Sequence, residues 1–160
     1  MQKRIGKNEK SAVAAVLKKV RSHVVFKQDR KRNETFFNHR LYRDVKAKVP
    51  ATENRKIWAA RLVGETFRPE FFLTSGKASP LLCAECKKLT DQSAKSRFKE
   101  GLSQALLYAN EYKTVLLVFY DYTTGAKYSA AFANKKGGEA RLAAQLLLKH
   151  RIHVMFMVPQ

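Results

Sequence analysis

The stretch KTVLLVFYDY, residues 113–122, constrains the fold more than any other part of the chain. Its apolar run is too short to span a bilayer, but it is typical of a strand that is covered on both faces inside a sheet. Such a strand requires packing partners on each side, because both of its faces must be removed from water. We therefore expect an α/β protein built around a central sheet.

Four further stretches have apolar residues at the spacing of amphipathic helices. In the second of them, Asn33 is a favourable capping residue and Glu34 lies in the first turn, where a carboxylate complements the helix dipole. The predicted helices cover residues 11–25, 32–49, 91–112 and 137–150.

The remaining apolar stretches predict strands. Residues 57–88 contain three of them, divided by Gly64 and by the segment SGKASP at 75–80, and this pattern predicts a meander of three strands. The segment 151–160 predicts a last strand. The expected order is helix, helix, three strands, helix, strand, helix, strand, which gives one mixed β-sheet flanked by helices.

The charge of the chain predicts an anionic partner. Among its 160 residues, 32 Lys and Arg stand against 13 Asp and Glu, for a formal net charge of +19. A basic surface gains affinity for nucleic acid by displacing counterions, so nucleic acid is the partner that we expect. Because positive charge is densest near the N-terminus, we divide the chain into a basic helix and turn over 1–32, packed on or extending the core, and an α/β domain over 33–160.

The ends and the cysteines of the chain indicate an intracellular protein. The N-terminal MQKRIGKNEK is charged but is not followed by the apolar segment of a signal peptide. Cys83 and Cys86 lie three residues apart on a predicted strand and point to opposite faces, which disfavours a disulfide. We expect a location in the cytoplasm or nucleoid, and we expect no membrane contact.

The stretch SPLLCAECKK, residues 79–88, places charges in the middle of an apolar strand. Side chains alternate along a strand, so Leu81, Cys83, Glu85 and Lys87 are expected to share one face. Burying a carboxylate and an ammonium is costly unless the two are paired or bind an ion. Taken alone, the stretch fits either a functional site or a plain salt bridge.

Two more features accompany this pair: Pro69 and Glu70 precede Glu85 by fourteen intervening residues, and the following helix carries Gln104 and Tyr108 one turn apart. Together with the order of elements, this arrangement resembles the PD-(D/E)XK nuclease superfamily, which includes restriction endonucleases and Holliday-junction resolvases. The resemblance covers about half of the chain. It implies a restriction-endonuclease-like α/β fold and metal-dependent hydrolysis of DNA phosphodiester bonds.

The resemblance also implies roles for individual residues. Glu70, Glu85 and the backbone carbonyl of Cys86 would bind Mg²⁺ or Mn²⁺, and Lys87 would orient or deprotonate the attacking water. Gln104 would be a further catalytic residue. Glu34 is a candidate outer metal ligand, with the helix-dipole role as its alternative. The superfamily usually has aspartate at the position of Glu70, and Glu65 is a competing candidate for the first acid.

Contacts with DNA phosphates are predicted for basic residues near these elements and for one aromatic residue. The candidates are Arg30, Lys31, Arg32, Lys95, Arg97, Lys99 and Tyr108. A homodimer is also a prediction, because the apolar segment HVMFMV at 153–158 either supplies an interface or completes the sheet.

Two other functions are weighed against the nuclease. The first is a catalytically inactive nucleic-acid-binding module of the same fold, and the substitution of glutamate for aspartate at Glu70 is its best support. The second is a basic RNA-binding protein, which would leave the Glu85 and Lys87 pair unexplained. The structure of the DNA substrate depends on loops and subunit geometry that the sequence does not specify.

Overall fold

Helices cover both faces of a mixed sheet in the computed structural model, which describes residues 6–54, 60–62, 65–75 and 79–160. The helices are α1 (Lys7–Arg21), α2 (Glu34–Lys48), α3 (Ala94–Tyr108), α4 (Lys127–Ala133) and α5 (Gly138–His150). The strands are β1 (Thr52–Glu53), β2 (Ala60–Leu62), β3 (Glu65–Phe67), β4 (Phe71–Ser75), β5 (Ser79–Leu89), β6 (Thr114–Asp121) and β7 (Ile152–Met157).

The main sheet has five strands in the order β1-β4-β5-β6-β7. β4 runs antiparallel to β5 as a hairpin, whereas β5, β6 and β7 are mutually parallel. The predicted α/β class with a mixed sheet is confirmed. The predicted meander of three consecutive strands is wrong: β2 and β3 pair with each other in a separate two-stranded sheet, and the short β1 takes the place beside β4.

The central position predicted for the apolar run at 113–122 is confirmed. Every residue of β6 is buried, because α1 and α2 cover one face of the sheet while α3 and α5 cover the other. Val13, Val16 and Val20 of α1 are buried in the same core cluster as Phe37 of α2. The basic N-terminal segment therefore packs on the core. Among the described residues, no helix is both long and apolar enough to cross a membrane.

Tertiary contacts shift several helix boundaries from the predicted ones. The predicted cap of α2 is confirmed, since the Asn33 side chain accepts a hydrogen bond of 3.0 Å from the Phe36 N–H. By contrast, α1 begins before the predicted residue 11 and ends at Arg21, so Val24 lies outside the helix and is 37% exposed. Leu106 of α3 is apolar but is 40% exposed.

The helix α4 was not predicted, because its start depends on a side chain that lies outside the helix. The carboxylate of Asp121, at the end of β6, accepts hydrogen bonds from the backbone N–H groups of Thr123 and Ser129, the latter at 2.7 Å. This buried carboxylate satisfies an otherwise free donor in the first turn of α4. A turn with positive φ at Gly125 and Ala126 leads into the helix.

The approach of α3 to the sheet depends on Gly101. A Cβ atom at this position would lie 3.1 Å from Cδ1 of Leu117, 3.1 Å from Cγ of Lys87 and 3.2 Å from a ring carbon of Phe119. Leu117 and Phe119 are fully buried on β6 and have little room to move. The absence of a side chain at Gly101 therefore lets α3 lie directly against Lys87.

We predict that Gly101→Ala destabilises the protein, although alanine is the better helix former by about 1 kcal/mol. Overpacking of a rigid core costs about 1–3 kcal/mol, and this cost should exceed the helix gain. Gly138→Ala is the matched control, because nothing lies within 4 Å of its added Cβ at the start of α5. Urea unfolding should show lower stability for the first variant and unchanged or higher stability for the second. Equal gains in both would contradict the close packing of α3.

Candidate functional site

Glu85 and Lys87 lie on the α3 side of β5. Cys83 and Leu89 belong to the core cluster on this side, and alternation along the strand places Glu85 and Lys87 between them. Leu81 was expected on the same face but belongs to the opposite cluster. The reason is a bulge: β4 pairs Leu73 with Leu82 and Thr74 with Pro80, so Leu81 is an extra residue that shifts the alternation.

The two charges form a buried ion pair. Lys87 is 5% exposed and Glu85 is 2% exposed, and the lysine Nζ donates a hydrogen bond of 2.6 Å to Oε1 of the glutamate. The second carboxylate oxygen, Oε2, is also buried and makes no hydrogen bond of normal geometry among the described residues, although the Tyr108 hydroxyl lies close enough to interact with this carboxylate. A buried carboxylate oxygen without a partner is costly, so it is available to a ligand that supplies positive charge.

The pKa values of the pair reflect burial and neighbouring charge. Burial raises the pKa of Glu85 to about 7, even though Lys87 acts in the opposite direction. For Lys87, burial alone would lower the pKa, but the nearby charges of Glu85, Glu34 and Glu100 outweigh burial and raise the pKa above its ordinary value. The lysine is therefore held in its protonated form.

The edge of β5 that pairs with β4 continues beyond the last pair, Phe71 with Ala84, and we call this part the open edge. Glu34 binds at this open edge. One of its oxygens, Oε2, accepts hydrogen bonds from the Lys88 backbone N–H at 2.8 Å and from the Arg97 guanidinium at 2.6 Å. The other, Oε1, lies 4.0 Å from the Lys87 Nζ. This first-turn residue of α2 thus connects β5 and α3, which is a larger role than complementing the helix dipole.

Glu70 lies just before β4, next to Glu85 in the antiparallel register. Its backbone N–H donates a 2.9 Å hydrogen bond to the Ala84 carbonyl, and the next pair along the ladder is Phe71 with Ala84. Burial raises the pKa of Glu70, Lys87 lowers it, and the negative charge of Glu34 raises it further. Glu70 is thus in the same electrostatic environment as the other site residues. The side chain of Glu65, the competing acid, lies outside the described part of the chain.

The backbone carbonyl of Cys86 lies on the same open edge. The carbonyl of Ala84 points to this edge, as does the N–H of Lys88, and peptide groups two residues apart along a strand point the same way. Two carboxylates and a carbonyl suit Mg²⁺, which keeps several waters and needs few protein ligands. The free Oε2 of Glu85 fits this donor set. In the described ranges, no group of three or more His, Cys, Asp or Glu side chains is arranged to hold a metal ion.

Gln104 and Tyr108 both direct buried polar atoms into the protein from α3. Oε1 of Gln104 and the hydroxyl of Tyr108 are buried and make no hydrogen bond within the described chain. Burial raises the pKa of Tyr108, and the negative charge of Glu85 raises it further, as does the interaction of the hydroxyl with that carboxylate. Tyr108 is fully buried, so it lies on the Glu85 side of the site and not on a surface that could contact DNA.

Two site residues were missed by the sequence reasoning. Glu100 of α3 lies 3.3 Å from the Lys87 Nζ and also accepts a 2.6 Å hydrogen bond from Arg97. Lys88 donates hydrogen bonds from Nζ to the backbone carbonyls of Arg30 and Arg32 and thereby attaches the turn before α2 to β5. A signal for Glu100 was present, because it lies one turn before Gln104 on the same helix, at the i, i+4 spacing.

The predicted DNA-contacting residues differ in their availability. Lys31, Lys95 and Lys99 are exposed, and Arg30 has a side chain that is 58% exposed beside Asp91. Arg32 is also exposed and lies over the Phe36 ring, with 5.1 Å from its Cζ to the ring centroid. Arg97, in contrast, is occupied by Glu34 and Glu100 at 2.6 Å each, so its charge is largely neutralised within the protein.

Comparison of the chain with family profiles, with curated proteins and with solved structures found no significant match.

We predict that Lys87→Met destabilises the protein by about 3–5 kcal/mol at about pH 8, because it leaves the Glu85 carboxylate buried without its partner. The loss should become smaller at about pH 5.5. A carboxyl whose pKa is raised in the folded state stabilises the fold when protonated, and this stabilisation is lost as pH rises through the folded pKa. Urea unfolding at the two pH values measures the difference.

The control is Lys135→Met, which removes the same charge from an exposed loop and should leave stability nearly unchanged at both pH values. Combining Lys87→Met with Glu85→Gln should restore part of the stability at about pH 8, because the uncompensated charge is gone. If Lys87→Met were equally destabilised at both pH values, and the double variant showed no recovery, the buried pair would not control this part of the fold.

Proposed function

We propose that this protein is a metal-dependent endonuclease that hydrolyses DNA phosphodiester bonds at the open edge of β5. The observation that carries the proposal is the buried Glu85 carboxylate, with one oxygen bound to Lys87 and the other buried without a hydrogen bond of normal geometry, although the Tyr108 hydroxyl lies nearby. A purely structural ion pair gains nothing from leaving a buried oxygen unsatisfied. A site that binds a cation and a phosphate requires such an oxygen.

The arrangement of elements supports the same proposal. Glu70 precedes the first strand of an antiparallel hairpin, Glu85 and Lys87 lie on the second, and a helix then crosses to a parallel strand. This is the core order that the resemblance to the PD-(D/E)XK superfamily implies, with the acids and the lysine at the corresponding positions. We extend the proposal to a restriction-endonuclease-like fold on this basis.

Each residue has a defined task in the proposed reaction. Glu70, Glu85 and the Cys86 carbonyl would hold Mg²⁺ or Mn²⁺, which when bound supplies positive charge to the scissile phosphate. Protonated Lys87 would donate hydrogen bonds to the attacking water and to a phosphate oxygen as negative charge develops there. Its raised pKa favours this electrostatic role over removal of a proton from the water.

Gln104 and the acids around Lys87 would complete the site. The unpartnered Oε1 of Gln104 can accept a hydrogen bond from the attacking water and so fix its direction. Glu34 approaches Lys87 from the open edge and Glu100 approaches it from α3, and Arg97 binds both acids. We assign to Glu34 a positioning role, because its oxygens already bind Arg97 and the Lys88 backbone.

The second candidate is a nucleic-acid-binding module without hydrolytic activity. A specific observation favours it: three carboxylates, those of Glu85, Glu100 and Glu34, lie within 4.0 Å of the Lys87 Nζ and neutralise it. Glutamate in place of aspartate at Glu70 favours the same alternative. Under this reading the exposed basic residues bind DNA, and the buried charges only join β5 to α2 and α3.

Cleavage of supercoiled plasmid separates the two candidates. We expect nicking that requires Mg²⁺ or Mn²⁺ and is abolished by a chelator. Lys87→Ala and Glu85→Gln should each lower the nicking rate by at least about 100-fold, because both remove groups that act on the transition state. Both variants should still bind DNA in a mobility-shift assay, since the exposed lysines and arginines are unchanged.

The matched controls remove the same groups from exposed positions: Lys135→Ala for the lysine and Glu111→Gln for the acid. Both controls should nick plasmid at the rate of the unaltered protein. DNA binding without metal-dependent nicking on plasmid, branched or single-stranded DNA would favour the inactive module. Nicking that survives Lys87→Ala in a folded protein would overturn the assignment of the site.

A further inference from the structure

The strand β7 is an outer strand that lacks the usual protection of a sheet edge. It is the last strand in the order of the main sheet, and its six residues, IHVMFM, include no Lys, Arg, Asp, Glu, Pro or Gly. Its pairing with β6 runs from Ile152 to Met157 without a bulge. Proteins ordinarily protect an outer strand by shortness, charge, proline or a bulge, because its free N–H and C=O groups can pair with another chain.

The opposite edge of the sheet shows such protection. β1, the strand at that edge, is only two residues long. The contrast indicates that β7 is left open for a partner.

The direction of the peptide groups defines which part of β7 is free. The Val115 N–H donates to the Arg151 carbonyl across the β6–β7 pair, so the odd-numbered residues of β7 face β6. Ile152, Val154 and Phe156 therefore direct their N–H and C=O groups outward. In the described part of the chain, the segment after α1 makes backbone hydrogen bonds at this edge beyond the strand, where Gln160 pairs with the Val25 carbonyl and the Lys27 N–H.

Apolar residues lie on both faces beside this edge, and Arg21 borders the grooves on both faces. On the α5 side, Ala143, Ala144 and Leu147 border an open groove along Ile152 to Met155. Leu147 is 42% exposed and the adjacent Leu148 is 82% exposed, the largest value among the exposed large apolar residues. On the α1 side, a second groove contains Val20 and Val24, the latter 37% exposed. A strand added at this edge would contact apolar side chains on both faces, with Arg21 beside them.

We propose that two copies of this chain pair through β7 in antiparallel orientation, about a two-fold axis at Val154. The outward peptide groups of Ile152, Val154 and Phe156 are symmetric about Val154, so this axis matches every donor with an acceptor. It also brings the two α5 helices together on one side of the sheet, where Leu147 and Leu148 become covered. The two five-stranded sheets become one continuous sheet.

The outer edge of β7 favours a second copy of this chain as its binding partner. β7 itself carries no Lys or Arg, and Arg21 is the basic residue that borders both grooves beside it. An identical strand has the right length, the right apolar character and the same outward pattern, and every molecule supplies one. The net charge of +19 opposes association of two copies, so we expect the dimer to strengthen as salt concentration rises. Binding of nucleic acid has the opposite salt dependence, which keeps the two properties separable.

Sedimentation and light scattering test the mass. At moderate salt the protein should show twice the chain mass of 18.3 kDa. Val154→Pro should weaken dimerisation by at least about 10-fold, because it removes an outward N–H and leaves the bonds between β6 and β7 intact. Leu148→Lys should also weaken it, through charge on an exposed side chain that the partner covers. Leu106→Lys, at an exposed leucine of α3, is the matched control and should leave the dimer unchanged.

Cross-linking tests the position of the axis. Cys83 and Cys86 are buried, so a cysteine placed at Val154 would be the reactive thiol of the described chain. A residue on the axis faces its own copy at about 5.5 Å between Cα atoms, so Val154→Cys should give a covalent dimer with a short bismaleimide. Lys135→Cys, in an exposed loop, should not. Circular dichroism would confirm that each variant remains folded.

A monomeric mass at moderate and high salt would overturn the proposal, as would a dimer that is unaffected by both Val154→Pro and Leu148→Lys. A covalent dimer from Lys135→Cys as efficient as that from Val154→Cys would place the contact elsewhere and also overturn it. None of these outcomes depends on metal or on DNA cleavage. The dimer and the proposed nuclease activity can therefore fail independently.

Discussion

The pairing of Lys87 with Glu85 is the interaction on which the rest of the site depends. Both side chains come from β5, in the middle of the sheet order, and burial makes either charge costly without the other. The surrounding residues are arranged to meet this requirement. Glu34 and Glu100 approach Lys87 from two helices, and Arg97 binds both of these acids. The ion pair is therefore the centre of a network that joins β5, α2 and α3.

The same network explains why one side of the site is closed and the other open. α3 can lie against the stem of Lys87 only because Gly101 has no side chain, and this contact excludes water from the lysine. On the other side, the pairing of β4 with β5 ends at Phe71 and Ala84. Among the contacts described above, Glu34 is the one that covers the edge of β5 beyond this pair. The free oxygen of Glu85 and the carbonyl of Cys86 belong to this less covered region, where a cation and a phosphate would have room.

Much of the fold and the site could be predicted from local patterns. The apolar run of β6, the cap at Asn33 and the alternation that places Glu85 beside Lys87 follow from the geometry of a single strand or helix. Where contacts from outside a strand or helix compete with its own pattern, the predictions failed. The bulge at Leu81 reversed one side chain, and the carboxylate of Asp121 started a helix that its own residues do not announce. The pairing of β2 with β3 instead of with β4 likewise depends on contacts that no single stretch encodes.

The sequence by itself determined that the chain is basic, that its sheet has a central buried strand, and that a carboxylate and a lysine share one face of a strand. The first property depends on composition alone. The other two depend on local hydrophobic patterns and on the two-residue alternation of a strand. Only the tertiary structure decided which groups surround the pair. Glu34 is separated from Lys87 by more than fifty residues, and Glu100 reaches it from another element, the helix α3. A buried charge is stabilised by whichever partners the folded chain brings within a few ångströms, and that distance is set by packing and not by position along the sequence.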